Sequence, residues 1–170
     1  MLAKEVIKLL NEQINKEFYS AYLYLDMANY YNDKNLNGFS NWFNVQAQEE
    51  RDHAMLFMTY LQNNNVPVVL TAIAAPDKTY ADYKVPLDAA LEHEQYVTAS
   101  INTIYEKAMQ EKDFRTLQFL SWFIDEQGEE EKNAQELIDR FELFGNDAKS
   151  LYLLDSELAA RVYSAPSLVL

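Results

Sequence analysis

The 170-residue chain carries 14 Lys and Arg against 27 Asp and Glu, a formal net charge of −13, and it has no cysteine. The charge argues against nucleic acid as a partner, because phosphate binding needs clustered basic residues, and it favours cationic ligands. Without thiols there can be no disulfide or cysteine zinc site. No apolar run approaches the ~20 residues that span a bilayer, and residues 1–10 lack the pattern of a signal peptide. We therefore expect a cytoplasmic protein without membrane contact.

Low Gly and Pro contents, 3 and 4 residues, favour an all-α fold. Apolar residues recur at steps of three and four along four long segments, as in helices that bury one face. These segments predict helices over residues 3–33, 38–64, 85–111 and 114–144, and a shorter fifth helix over 148–162. Short links after the first and third helices predict two antiparallel hairpins.

The link between the second and third helices, residues 66–84, shows no helical period. Its ~19 residues reach ~60 Å when extended, whereas a ~27-residue helix is ~40 Å long. The link can therefore cross the whole bundle and leave the second and third helices parallel. It is also apolar, and we expect a partner subunit to cover it rather than its own bundle. The apolar residues are Val66, Val68, Val69, Leu70 and Ile73.

Ligand-capable side chains interrupt the apolar stripes of all four long helices. They are Glu17, Glu50, His53, Glu94, Gln127 and Glu130. The spacing repeats, because 33 residues separate Glu17 from Glu50 and 33 separate Glu94 from Gln127. Two hairpins related by a pseudo-twofold axis would bring these groups to one level of the bundle.

Four buried carboxylates are costly unless positive charge joins them, and no Lys or Arg lies on these stripes near that level. Two divalent metal ions would balance Glu17, Glu50, Glu94 and Glu130. Oxygen ligands with a single imidazole suit iron, and manganese or zinc could also bind. The alternative is a cluster of protonated carboxyl groups without function.

A Glu on the first helix, Glu50-x-x-His53 on the second, a Glu on the third and an acidic cluster on the fourth resemble the ferritin family, especially bacterial non-haem ferritins. This is the general arrangement of di-iron carboxylate bundles. The resemblance covers the whole chain. It implies a ferritin-like four-helix bundle over 1–145 with one long crossover, and a short C-terminal helix and tail of the same domain over 146–170.

The resemblance also implies a two-iron centre with a role for each ligand. Glu17, Glu50 and His53 are expected to hold the first iron. Glu94, Glu130 and the bridging Glu50 are expected to hold the second.

Further residues match the family near this centre. Gln127 resembles a glutamine that contacts water or dioxygen. Tyr24 resembles the tyrosine beside the centre and is expected to belong to the catalytic set, and Trp122 resembles a nearby aromatic residue. The alternative for Tyr24 and Trp122 is that they are ordinary core residues. A third iron site is expected from residues that would otherwise form a solvated acidic face: Glu49, Glu126 and Glu129.

Some residues differ from those of bacterioferritins, and these differences bear on whether haem is expected. Arg51 stands where bacterioferritins carry a haem-ligating Met, and Gln127-x-x-Glu130 replaces their second Glu-x-x-His, so no haem is expected. His93 adjoins Glu94 but lies off the ligand face, which indicates a structural or interfacial role.

The implied function is iron storage and detoxification. A ferroxidase reaction would convert Fe(II) to Fe(III) with dioxygen or peroxide, and a hollow homo-oligomeric cage of 24 subunits would hold the ferric mineral.

Two other classes of function stay open. One is a storage subunit that does not oxidise iron. The other is a di-iron enzyme with an organic substrate, which needs a cavity where bulky residues lie instead: Phe43, Phe57, Leu120 and Phe123.

The fifth helix carries an apolar stripe of its own. Because the bundle is complete without this helix, we expect the stripe to lie outside the core and to be covered by a symmetry-related copy. The stripe consists of Leu151, Leu154, Leu158 and Val162.

Overall fold

A computed structural model describes residues 2–170. Over this range the chain forms five helices and no strand, which confirms the all-α class. The helices are α1 (Lys4–Asp33), α2 (Asn37–Asn63), α3 (Val85–Gln110), α4 (Phe114–Phe144) and α5 (Ala148–Leu158). Within the described range, no helix combines the length and the apolarity needed to cross a membrane.

Three of the four long helices, α1 to α3, are followed by a residue with left-handed backbone conformation. Asn35, Asn65 and Lys112 have φ angles of 59°, 57° and 55°. Asn adopts this conformation with little strain, whereas Lys has no side-chain group that favours it. Asp113 then caps α4 by accepting a hydrogen bond from the Thr116 backbone N–H at 3.2 Å.

The bundle core has two apolar clusters with a polar layer between them. On α1, Ile14 belongs to the first cluster and Tyr24 to the second, with Glu17 between them. On α2 the order is reversed, because Phe43 belongs to the second cluster and Phe57 to the first. The same reversal between α3 and α4 places every buried carboxylate at the middle of its helix.

The link after α2 lies along α1. Asn11 Oδ1 accepts a hydrogen bond from the Val69 backbone N–H at 2.7 Å, and the Tyr80 hydroxyl donates to Asp26 Oδ2 at 2.9 Å. These bonds fix the two halves of the link to points 15 residues apart on α1.

The expectation that a partner subunit covers the link is wrong for the first part of the link. Val66 is buried, and Val68 is partly buried, against the first apolar cluster of the same chain. Both valines lie close to where α2 ends, so the bundle itself covers them. Val69, Leu70 and Ile73 are exposed, and for them the cover stays a prediction.

α5 also differs from its prediction. It ends at Leu158 and not at 162, and Asp147 caps its start. Leu154 and Leu158 are buried in the second apolar cluster, so the expectation that this stripe lies outside the core is wrong for them. The reason is that α5 folds back against α2 and α4. Val162 lies beyond the helix and is 80% exposed.

Candidate metal centre

Six polar side chains predicted as ligands or neighbours of a metal form the layer between the apolar clusters. They come from four helices, and each is at most 5% exposed. They are Glu17 of α1, Glu50 and His53 of α2, Glu94 of α3, and Gln127 and Glu130 of α4. The structure therefore brings the whole predicted set to one level of the bundle.

Glu17, Glu50 and His53 form one compact group in this layer. One ligand atom from each lies within 4.8 Å of the others, and His53 Nδ1 is 3.6 Å from Glu50 Oε2. Glu17 Oε2 and His53 Nδ1 are buried without a hydrogen-bond partner. Such unpaired buried atoms are rare in folded proteins, and a cation among these three side chains would satisfy both.

A second group shares the histidine. His53, Glu126 and Glu130 also place ligand atoms within 4.8 Å of one another. Glu94 belongs to neither group. Its carboxylate accepts a hydrogen bond from Gln127 Nε2 at 3.1 Å and another from the Tyr24 hydroxyl.

Two glutamines that the sequence analysis did not assign hold the carboxylates in place. Gln13 Nε2 donates to Glu17 Oε1 at 2.8 Å. Gln46 Nε2 donates to Glu130 Oε2 at 2.7 Å and to Glu50 Oε1 at 3.4 Å. Each glutamine lies four residues before a carboxylate on the same helix face, a spacing that could have indicated the contact. Amide donors orient the carboxylates without adding charge.

Burial is the main reason why the carboxyl groups of this layer are weak acids. Burial first, and then the charge of neighbouring carboxylates, raises the pKa of Glu17, Glu94 and Glu130 to about 8. Burial and then the charge of Glu130 raise the pKa of Glu50 well above its ordinary value. Without metal, these groups hold protons near neutral pH. A bound cation would replace those protons.

The aromatic neighbours surround the layer. Tyr24 is 1% exposed, and the ring of Trp122 packs edge-on against His53 with centroids 5.6 Å apart. His93 Nε2 is 2.7 Å from Ser20 Oγ. Burial lowers the pKa of His93 to about 4, so the imidazole is neutral, which agrees with a structural role.

The residues predicted for a third iron site line one cavity of about 250 Å³ beside His53. Glu126 is partly buried and Glu129 is exposed. Burial raises the pKa of Glu49, and the nearby Arg161 opposes this. Arg161 Nη2 lies 2.6 Å from Glu49 Oε2. The sequence analysis found no basic residue near this level, because Arg161 comes from the C-terminal tail, 112 residues further along the chain.

The fold and the site define a helical-bundle protein with a buried layer of carboxylates and one histidine that could hold a cation. The family model for the ferritin-like domain matches residues 7–144. The bacterial non-heme ferritin of Campylobacter jejuni is 41% identical over 155 residues, which cover 91% of this chain and 93% of that protein. This chain belongs to the ferritin family, which confirms the resemblance.

Two further comparisons agree with this family assignment. The bacterial non-heme ferritin of Staphylococcus saprophyticus is 39% identical over 163 residues, covering 96% of this chain and 98% of that protein. Among solved structures, an open-pore ferritin from the hyperthermophilic archaeon Archaeoglobus fulgidus superposes with a TM-score of 0.93 at 41% identity. That match covers 95% of this chain and 100% of the archaeal chain.

Proposed function

We propose that this protein stores iron and acts as a ferroxidase, oxidising Fe(II) to Fe(III) with dioxygen or peroxide in the buried polar layer. One observation carries the proposal: four carboxylates and one imidazole converge in an apolar core, where Glu17 Oε2 and His53 Nδ1 have no partner. Membership of the ferritin family supports it.

Charge balance favours two divalent ions as the substrate. Glu17, Glu50, Glu94 and Glu130 carry four negative charges once their protons leave, and two Fe(II) ions neutralise them. Glu17, Glu50 and His53 would hold one ion, and Glu94 and Glu130 would hold the other with Glu50 between them. Each bound Fe(II) gives one electron to the oxidant, and the carboxylates favour the higher charge of Fe(III).

The glutamines bind the carboxylates weakly enough for a metal ion to displace them. Hydrogen bonds such as those from Gln13 to Glu17 and from Gln127 to Glu94 contribute only about 1 kcal/mol each. An entering cation can therefore turn the carboxylates away from these amides. The same weak contacts can re-form when Fe(III) leaves, which suits a site that must turn over.

An organic substrate is disfavoured by the surroundings of the layer. Phe43, Phe57 and Phe123 are fully buried and fill the core on both sides of it. The cavity beside His53 is lined largely by charged and polar side chains. Such a cavity suits a hydrated cation better than an apolar molecule.

We infer that the iron is kept as ferric mineral in a hollow cytoplasmic cage of 24 copies, without haem. An apolar groove of about 570 Å³ between α1 and α2 supports assembly. Tyr22 and Leu25 in this groove are 50% and 43% exposed, and the exposed Ile73 of the link also lines it. We assign residues 1–145 to the bundle with its long crossover, and residues 146–170 to the helix and tail of the same domain.

Aerobic oxidation kinetics test the proposal. Purified protein is mixed with Fe(II) while oxygen uptake and Fe(III) absorbance are followed. Glu17→Ala should abolish the fast phase, because Glu17 is buried in the layer. Glu12→Ala removes an exposed carboxylate from the same helix and should leave the fast phase unchanged. An unchanged fast phase in Glu17→Ala would overturn the assignment.

A further inference from the structure

The C-terminal strap, residues 159–168, leaves α5 and runs across the outer face of the polar layer. Asn41 Nδ2 of α2 donates to the Arg161 carbonyl oxygen at 2.9 Å. Trp122 Nε1 of α4 donates to Ser167 Oγ at 2.9 Å. The strap is therefore held on both helices that carry the predicted third iron site.

Arg161 is the strap residue that reaches the acidic side chains. Its Nη2 donates to Glu49 Oε2 at 2.6 Å and to Gln46 Oε1 at 3.0 Å, and its Nη1 donates to the Trp42 carbonyl oxygen at 3.2 Å. Its Cζ lies 4.4 Å from the centroid of the Trp42 ring. The side chains of Arg161 and Glu49 are only 22% and 18% exposed, so water screens this pair less than a surface pair.

The guanidinium occupies one side of the acidic cavity. Arg161 and Glu49 line it together with His53, Glu126 and Glu129, and strap residues 164–167 form another part of its wall. His53 and Glu126 belong to a group whose ligand atoms lie close enough to hold a metal ion, whereas Glu49 does not. The carboxylate of Glu49 is bound to Arg161 instead. One carboxylate of the predicted third site is thus neutralised from within the chain.

We propose that Arg161 is a positioning residue that competes with a divalent cation for Glu49 and so sets the affinity of the third cation position. This inference rests on the proposed function. A cation that uses Glu49 must displace the guanidinium, and its apparent affinity falls by the fraction of molecules in which Glu49 is free. Arg161 also fixes the orientation of the Gln46 amide, because it binds the oxygen and leaves the nitrogen to face Glu130.

Calorimetric titration with Zn²⁺, which binds carboxylate and imidazole ligands without redox chemistry, tests the competition. Native protein should bind two Zn²⁺ per subunit tightly and a third more weakly. If Glu49 is paired with Arg161 in about ten molecules for every one in which it is free, Arg161→Gln should bind the third Zn²⁺ about tenfold more tightly. Arg161→Lys retains the charge and should restore weak binding. Arg140→Gln removes the same charge from a pair with Glu157 and should resemble native protein.

Tryptophan fluorescence gives a readout that is independent of affinity. Trp122 anchors the strap and lines the cavity, so it is kept, and the emission of Trp42, whose ring lies under Arg161, is taken as the difference between native protein and Trp42→Phe. Filling of the third position should change this Trp42 emission, and the same difference measured with Arg161→Gln should show no change. Circular dichroism of each variant establishes that it is folded.

The outcomes separate the two proposals. Two tight Zn²⁺ sites with equal third-site affinity in native protein, Arg161→Gln and Arg140→Gln would overturn the competition and leave the proposed function standing. Absence of a third site even in Arg161→Gln would overturn it as well. Failure of native protein to bind the first two ions would instead contradict the proposed function itself.

Discussion

Asp155 of α5 caps the start of α2 by accepting a hydrogen bond from the Gly38 backbone N–H at 2.7 Å. The approach is so close that a β-carbon on Gly38 would lie 1.6 Å from the Asp155 carbonyl oxygen. Gly38 therefore allows α5 to dock on the bundle.

Gly38→Ala should displace α5 and lower the melting temperature. The displaced helix would lose part of the burial of Leu154 and Leu158, which is worth ~1.5–3 kcal/mol for each side chain. Differential scanning calorimetry at fixed subunit concentration measures the effect. Gly128→Ala is the matched control, because nothing lies within 4 Å of its added β-carbon and Ala favours a helix by about 1 kcal/mol over Gly. Equal melting temperatures for the two variants would refute the docking argument.

Ending the chain at Asn146 should leave a helical protein that still binds two Zn²⁺ per subunit. The polar layer is made by α1 to α4, so it does not need α5. Loss of Leu154 and Leu158 uncovers one end of the second apolar cluster, and we expect lower thermal stability with altered assembly. Circular dichroism, zinc titration and analytical ultracentrifugation measure these properties, and iron loading measures how much iron the truncated protein retains. Native melting temperature, assembly and iron retention together would show that α5 contributes nothing.

Metal-free protein should lose stability as the pH rises from about 5 to about 8. The pKa values of Glu17, Glu94 and Glu130 rise from 4.5 in the unfolded chain to about 8 in the fold. Between these values the unfolded chain has released protons that the native protein still holds. The free energy of unfolding therefore falls with pH, by up to ~1.4 kcal/mol per pH unit for each group, and the fall ends above the folded pKa.

Thermal unfolding in chelator across that pH range measures this slope. Glu17→Gln removes one of the three groups and should give a shallower fall, together with higher stability near pH ~8. An identical slope in native and variant protein would show that Glu17 keeps an ordinary pKa. Saturating Zn²⁺ should reverse the trend, since the cation competes with protons.

Replacing Glu49, Glu126 and Glu129 together with Ala should spare the initial oxidation of Fe(II) and alter the ratio of iron oxidised to oxygen consumed. All three line the cavity beside the polar layer, whereas Glu17 and Glu50 lie within the polar layer itself. Stopped-flow absorbance with an oxygen electrode gives both quantities.

The control for that experiment removes three exposed carboxylates from elsewhere on α3 and α4: Glu92, Glu106 and Glu136. Both triple variants change the net charge equally. If they have the same iron-to-oxygen ratio as native protein, the cavity residues are only a solvated face.

Lys112→Gly should stabilise the protein by up to ~1 kcal/mol. The φ angle of 55° at Lys112 is in the left-handed region, which glycine adopts without the steric cost of a β-carbon. Part of the gain is offset because glycine is more flexible in the unfolded chain. Comparison of melting temperatures tests this, and a lower value for the variant would contradict it.

Local patterns in the amino-acid sequence were enough to predict the helices and the inward carboxylates. Predicted boundaries of the four long helices agree with the structure to within one residue at each end. This was predictable because helical period and turn residues are local properties of the chain. The matching separations of Glu17 from Glu50 and of Glu94 from Gln127 also indicated one buried polar level.

Which distant groups contact that level depends on how the helices pack and where the C-terminal tail runs. Gln46 reaches Glu130 on another helix, and Arg161 reaches Glu49 from the tail. α5 turned back onto its own bundle, because Gly38 leaves room for it and Asp155 caps α2. Periodicity gives the face on which a side chain lies, but not the path of the chain beyond a helix end. Contacts made by tails and turns depend on that path, and the pairing of the Arg161 guanidinium with Glu49 is one of them.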